Sequence, residues 1–454
     1  MLRTGLSLAT LTLAGALAGA PASANPATLI PSGSDAADPT LFHVTVDYTY
    51  TLDSATLFRE DVAAGPLDPL PRQRDLDFKQ YRHTLIPKAE LGVYRDTWVS
   101  FAVPVVIAQS RELSLADGIS RDSSSTIRDG LLTADGFDAR DPTTPLPGGD
   151  DLVFRGATRK GVEQLYFGLA VAPMNQLRDA TKPTWKLGAE LRLAVGGVMR
   201  FDRMKAQDED GISKGIHDLR LWTSVARRYD RTSAWFEVFW QVPLAAREGS
   251  LFDDIDQVPG SFGATNTMPG QQAGAGIGIE ASAIDDRVNH NRVSLELGAR
   301  LVAHFEGRDY SEMWEVFAYA GDVRAAGPLV LDRDPLASGV QASSHPGISN
   351  IENYLETSAR IALRAQLGKR VRFAALVDLL WKTDHAISFA DAGIDLPTCD
   401  GSARRCEDDA NDLVNPGTRE VNPLHAPRID QVGHRYHSED NFGFSLGVQA
   451  QALF

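Results

Sequence analysis

Apolar and polar residues alternate along this chain in runs of ten or more. The first passes through Phe42, Val44, Val46, Tyr48, Tyr50 and Leu52, with His43, Thr45, Asp47, Thr49, Thr51 and Asp53 between them. The last passes through Phe442, Phe444, Leu446, Val448, Ala450, Ala452 and Phe454, interleaved with Gly443, Ser445, Gly447, Gln449 and Gln451. Successive side chains of a strand point to opposite faces, so period two predicts strands with one apolar and one polar face. Runs of this length also suit tilted strands that cross a bilayer. Further runs near 76–94, 97–109, 161–172, 185–200, 215–229, 233–244, 273–284, 292–306, 351–367 and 371–382 read the same way.

The connections alternate in length. Arg95-Asp96, Asp230-Arg231-Thr232 and Gly368-Lys369-Arg370 are tight, and 174–184 and 285–291 somewhat longer. Those at the other end, 54–75, 110–160, 201–214, 245–272, 307–350 and 383–441, are long. The pattern predicts an all-β fold: a transmembrane antiparallel up-and-down β-barrel of about 12 strands, with short periplasmic turns and long extracellular loops. An even count brings both termini to one side, where the first and last strands can pair and leave no open edge. Tyr94, Trp98, Tyr229, Trp235 and Phe454 fall near the short-turn ends, and Phe305 and Trp381 near the other, as two aromatic girdles would. A soluble β-sandwich is the competing architecture, but it would have to hide an apolar face on every strand.

Composition narrows the class. Among 454 residues, Lys and Arg number 45 against 60 Asp and Glu, a net charge of −15, which argues against nucleic acid as a partner. Mean hydropathy is −0.20, and no apolar run after residue 20 approaches the length of a membrane helix. The N-terminus has the order of an export signal: Arg3, an apolar stretch from Leu6 to Ala20, then Ala22-Ser23-Ala24 as a cleavage site. The expected organisation is a signal peptide over 1–24, a short periplasmic segment over 25–41 and the barrel over 42–454. In an exported chain, Cys399 and Cys406 read as a disulfide that clips a small loop, with two free thiols as the alternative.

Ending on Phe454 at the close of an alternating strand resembles the assembly signal of Gram-negative outer-membrane proteins. That resemblance implies insertion by the barrel-assembly machinery. A second likeness rests on Gly161-Val-Glu-Gln-Leu-Tyr-Phe-Gly168 and Gly215-Ile-His-Asp-Leu-Arg-Leu-Trp222, with Val103-Pro104 and Val242-Pro243 late in outgoing strands. Together these resemble the porin-like barrels associated with aromatic-compound (phenol meta-pathway) degradation, distant relatives of fatty-acid transporters. The likeness covers about half the chain. Residues 25–41 are too few for the N-terminal hatch of a fatty-acid transporter, which argues against a hydrophobic-ligand mechanism.

With the apolar set facing lipid, the alternate residues face the lumen. Candidate pore-lining residues are Arg82, Lys88, Glu90, Lys186, Glu190, Arg192, Glu296, Arg300, Glu356, Arg360, Arg364, Arg372 and Asp378, joined by Asp47, Asp218, Arg220, Glu237 and Glu280. A Lys or Arg on the lipid side near the midplane would cost about 2–4 kcal/mol. Gly168, Gly188, Gly274, Gly276, Gly278, Gly298, Gly443 and Gly447 share this face and are expected to leave room along the wall. Two outcomes fit: a narrow water-filled channel of mixed charge, favoured by the glycines, or a core of ion pairs that closes the lumen. On one wall Arg360 and Arg364, with Glu352 and Glu356, face Glu296 and Arg300 as a charge ladder.

The loops are long enough to have tasks of their own. Asp309-Tyr-Ser-Glu312 before Met313, Trp314, Phe317 and Ala320 has the pattern of a capped amphipathic helix that would fold over or into the mouth; an extended strand is the alternative. Glu407, Asp408, Asp409 and Asp412 form an acidic run, expected as a solvated surface with a Ca²⁺ site as the alternative; its spacing matches no Ca²⁺-loop motif, and no cofactor is expected. A rim hydrolase would draw on His217 with Asp218 or His304 with Glu306, and His434 and His437 could bind a metal through their two imidazoles. The chain holds no Gly-x-Ser-x-Gly or His-Glu-x-x-His motif. The reading is a porin-like channel or transporter whose partners are outer-membrane lipids, lipopolysaccharide and a small-molecule solute. A rim enzyme and a closed barrel with partner-binding loops are the alternatives.

Overall fold

Twelve antiparallel strands close into one barrel in the computed structural model, which describes residues 30–31, 41–61, 70–148, 150–255, 266–286, 288–332, 339, 341–395, 413–414 and 420–454. The strands are β1 Phe42–Glu60, β2 Arg72–Tyr94, β3 Thr97–Ala102 continued by Val105–Leu115, β4 Gln164–Met174, β5 Thr184–Ala194 and β6 Ile216–Tyr229. They continue with β7 Thr232–Ala246, β8 Gln272–Asp286, β9 Asn291–His304, β10 Tyr354–Leu367, β11 Val371–Lys382 and β12 Tyr436–Leu453. Each pairs with its sequence neighbours, and β12 closes on β1 in the register Thr45↔Gln451 and Thr51↔Ser445. Phe42 and Phe454 exchange two backbone hydrogen bonds, 3.0 and 2.8 Å, at the seam. The break in β3 falls at Val103-Pro104, where proline has no N–H for the ladder.

Burial follows the alternation. In β10, Leu355, Ile361 and Leu363 are exposed while Glu356, Ser358, Ala362 and Arg364 are buried. Among soluble folds a row of exposed Leu and Ile on every strand would have no cover; here it forms a continuous belt around the barrel. Tyr94, Tyr229 and Phe454 rim the short-turn end of that belt, and Trp240, Phe305 and Trp381 the long-loop end. Trp98 and Trp235 depart from the expected girdle. Trp98 shares the parity of Ser100 and Ala102, and Trp235 that of Glu237, so both rings point inward.

The longest strands overshoot the belt. Residues 54–60 and 72–75, expected as loop, continue β1 and β2. Irregularities at Ser54/Thr56 and Leu57/Phe58 shift the register, and around them Ala55, Leu57, Leu76 and Phe78 are buried. Above the belt the barrel thus encloses an apolar core, with Leu57, Phe78, Leu113, Phe137, Phe154 and Tyr436 around Phe317.

At its centre lies the helix Trp314–Ala320, every residue of which is buried. The helix forms where the spacing placed it, but without the expected cap: its N-cap is Met313, which makes no side-chain bond. Asp309 instead accepts the N–H of Tyr310 at 2.7 Å. Packing on all sides holds the helix, each large apolar side chain contributing about 1.5–3 kcal/mol.

Candidate functional site

The lumen is walled by inward charges that meet in pairs, some along one strand and some across neighbouring strands. Lys88 meets Glu90 at 2.8 Å, Arg192 meets Glu190 at 2.8 Å, and Arg364 of β10 meets Glu296 of β9 at 2.8 Å. Arg360 does not join that ladder; it turns to the other neighbour and meets Asp378 of β11 at 2.6 Å. Arg300 and Arg220 share Glu237 at 3.6 and 3.4 Å. His304 approaches Glu356 at 3.4 Å, and Lys186 lies 5.8 Å above the Trp98 ring. Arg372 faces inward on β11, opposite Gln366 and Gln451. Glu352 lies outside the barrel strands and accepts the Ala386 N–H.

Five of the glycines do not leave the room expected of them, whereas Gly447 borders a cavity. Aromatic rings from nearby strands lie against the bare backbone: Trp222 at Gly188, Phe239 at Gly274, and Trp235 at Gly276, Gly278 and Gly298. A Cβ at Gly188, Gly274 or Gly278 would strike a ring. The charged groups then stack on these aromatics, with Arg220 4.0 Å from the Phe239 centroid and Arg192 4.5 Å from that of Tyr166.

Among the described residues, two cavities lie within the barrel, one above the other. The upper, about 170 Å³, is lined by Gln80, Arg111, Tyr310, Glu312, Lys382 and His385 among others. The lower, about 50 Å³, is lined by Asp47, Thr49, Tyr166, Arg360 and Leu376. Arg82 and Glu163 border both cavities and meet each other at 2.6 Å, so this ion pair stands between them. Glu163 sits just before β4, and Pro104, at the break in β3, accepts its backbone N–H at 3.2 Å.

Over the upper cavity lies the plug helix. Arg159, 1% exposed, meets Glu315 at 2.7 Å, donates to the carbonyls of Gly211 and Arg200, and lies 4.8 Å from the Trp314 ring. Arg111 donates to the Ser311 carbonyl at 3.1 Å. Outside the plug, Arg324 bridges Asp202 and Asp322 at 2.5 and 2.7 Å, and its hydrogen bonds hold both carboxyls below their usual range. At the opposite, short-turn end, Ile30 is wholly buried against Trp98, Ala170 and Ala172, with Trp222 beside it. Part of the segment 25–41 therefore reaches inside the barrel.

Sequence reasoning missed Glu163, Arg111, Arg159, Glu315 and Ile30; Glu163 stands at the very start of the run 161–172, and the other four lie outside the alternating runs. The histidine pairs do not assemble as rim chemistry would need. His217 accepts the Ala194 N–H, Asp218 bonds Gln164, and Glu306 bonds Asn350. His437 faces Glu60 at 3.1 Å while His434 lies 3.8 Å from Asp129. Among the described residues no group of three metal-binding side chains converges. Cys399, Cys406, the acidic run 407–412 and the segment 1–24 lie outside the described residues.

No protein-family model matches the chain, and no curated protein matches it. Among solved structures it is similar to an outer membrane channel from Pseudomonas putida F1, with TM-score 0.38 and 10% identity over 93% of this chain and 99% of that one. It is also similar to a FadL homologue from Pseudomonas aeruginosa (TM-score 0.33, 8% identity, 94% and 95% covered). A third is the outer membrane protease OmpT of Escherichia coli (TM-score 0.25, 6% identity, 91% and 97% covered).

Proposed function

We propose that the protein is a gated channel or transporter of the bacterial outer membrane, exported with loss of residues 1–24, that passes a small polar solute and is closed at rest. One observation carries the reading: two cavities edged by charged side chains stand in line inside the barrel, divided by the Arg82–Glu163 pair. A barrel kept only as a scaffold has no need of unfilled space beside charged groups, which leaves them less compensated than packing would. The lining of Arg, Lys, Glu and His suits a polar solute better than an apolar one. Closure has two parts, the helix Trp314–Ala320 with its ion pair at the outer mouth and Ile30 at the periplasmic end.

The test is electrical. In planar bilayers the intact protein is expected to show brief, rare openings, and a variant lacking 310–321 sustained current. A plug-deleted barrel that is folded, by its heat-modifiable mobility, yet passes neither ions nor sugars in liposome swelling would end this reading.

A further inference from the structure

Three arginines above the belt are almost wholly buried: Arg59, Arg159 and Arg308. Two of them meet a carboxylate, Arg59 at Asp129 (2.6 Å) and Arg159 at Glu315 (2.7 Å). Arg308, 0% exposed, meets none among the described residues. It lies on the short strand Gly307–Asp309, just beyond β9. Its Nε donates to the Asn266 carbonyl at 3.1 Å and its Nη2 to the Phe389 carbonyl. Its Nη1 is buried with no acceptor. Asp430 acts on it from further off, but the two oxygens of that carboxylate already accept the N–H groups of Phe389 (2.5 Å) and Ala426 (2.8 Å). An ion left buried without a counter-charge is strongly disfavoured. Carbonyl acceptors or a water satisfy its hydrogen bonds but leave its charge in place.

A second buried donor lies against the same residue. The His345 ring packs on Phe389 with centroids 4.1 Å apart. Its Nδ1 accepts the Gly347 N–H at 2.9 Å, so the ring proton of the neutral imidazole belongs on Nε2. That Nε2 is buried and has no acceptor either. Burial first, and then the charge of Arg308, hold the His345 pKa down to about 3, so the ring stays neutral in use. The backbone N–H of His345 donates to the Gly321 carbonyl at the end of the plug helix, 3.0 Å away.

We infer that Arg308 Nη1 and His345 Nε2 are the two donors of a site for one small monovalent anion, a halide or the carboxylate end of a short acid, which ties the plug helix to the barrel top. The anion supplies the charge that Arg308 lacks and the acceptor that both donors lack. It also joins the end of β9 to the segment that follows the plug, so its binding favours the closed mouth.

Hydrogen exchange of the Ser311–Ala320 peptide in detergent-solubilised full-length protein tests this directly, with sodium chloride, sodium acetate and sodium isethionate compared at equal ionic strength. Exchange is expected to slow several-fold in chloride relative to isethionate. Slowing in acetate but not chloride would assign the site to a carboxylate. Both effects should vanish in Arg308→Gln and in His345→Asn, whose Oδ1 can still accept the Gly347 N–H. Crystals soaked in bromide should show anomalous density between Arg308 and His345. Equal exchange in all three salts, with no bromide peak there, would overturn the assignment, as would an anion effect that survives in both variants.

Discussion

Glu315→Ala should open the outer mouth without unfolding the barrel. The substitution leaves Arg159 buried at 1% exposure with carbonyl acceptors at 3.0 and 2.9 Å but no carboxylate in contact. Removing one partner of a buried ion pair costs about 3–5 kcal/mol. The pair joins the plug to residues before β4 and not one barrel strand to another, so the cost falls on the closed arrangement of the plug. At about 1.4 kcal/mol per tenfold, the open-to-closed ratio rises by roughly two to three and a half powers of ten. Single-channel recording should then show long openings where the native protein shows brief ones. The double variant Arg159→Met/Glu315→Met removes both charges, and replacing such a pair with apolar groups is often neutral or better, so it should close again. A folded Glu315→Ala barrel as quiet as the native protein would refute the argument, as would a double variant as open as the single.

Gly156→Val should act in the same direction, because even a Cβ at Gly156 falls on the Glu315 carboxylate; the same recordings measure it. Arg360→Gln should shift the reversal potential in a salt gradient toward cation preference by releasing Asp378 beside the lower cavity, whereas unaltered selectivity would place that pair off the conduction path. Deleting Phe454, whose backbone closes the seam with Phe42, should lower the amount of heat-modifiable protein in the membrane. Cys399 and Cys406 should resist thiol labelling in intact, unreduced protein and react after reduction. Acid should leave the Arg324 clamp intact through mildly acidic pH. Folded-state pKa values of Asp202 and Asp322 lie below 3.8, so their contribution is full above that value and is lost only as pH falls further, which conductance against pH can follow.

The strands and the faces of their charged residues were legible because bilayer and lumen impose opposite rules on alternate positions. Lipid penalises a misplaced arginine heavily enough to fix register from Arg360, Arg364 or Lys186 alone. Aromatic residues carry no such penalty, since tryptophan is accepted at an interface or over a bare glycine. Position near a turn therefore suggested a girdle for Trp98 and Trp235, and only parity with Ser100 and Glu237 pointed inward. Ends of strands were read short because apolar residues change sides above the membrane, where Leu57 and Phe78 pack inward and the period-two rule reverses its meaning. The plug helix showed in the spacing of Trp314 and Phe317, but not its depth. Its ion pair joins residues 156 positions apart, and no local pattern announces a partner at that range.

The apolar core above the membrane belt also sets how the gate should respond to warmth. If opening withdraws Trp314 and Phe317 from Leu113, Phe154, Phe389 and their neighbours, it exposes apolar surface to water. Such exposure carries a positive heat-capacity change, so the enthalpy of opening grows with temperature and the closed state has a temperature of greatest stability. Openings should then become more frequent on both sides of that optimum, in the cold as well as the heat. A gate held by ion pairs alone, such as Arg82–Glu163, has no such curvature. Permeability measured across temperature would thus separate the contribution of the oily lid from that of the charged partition beneath it.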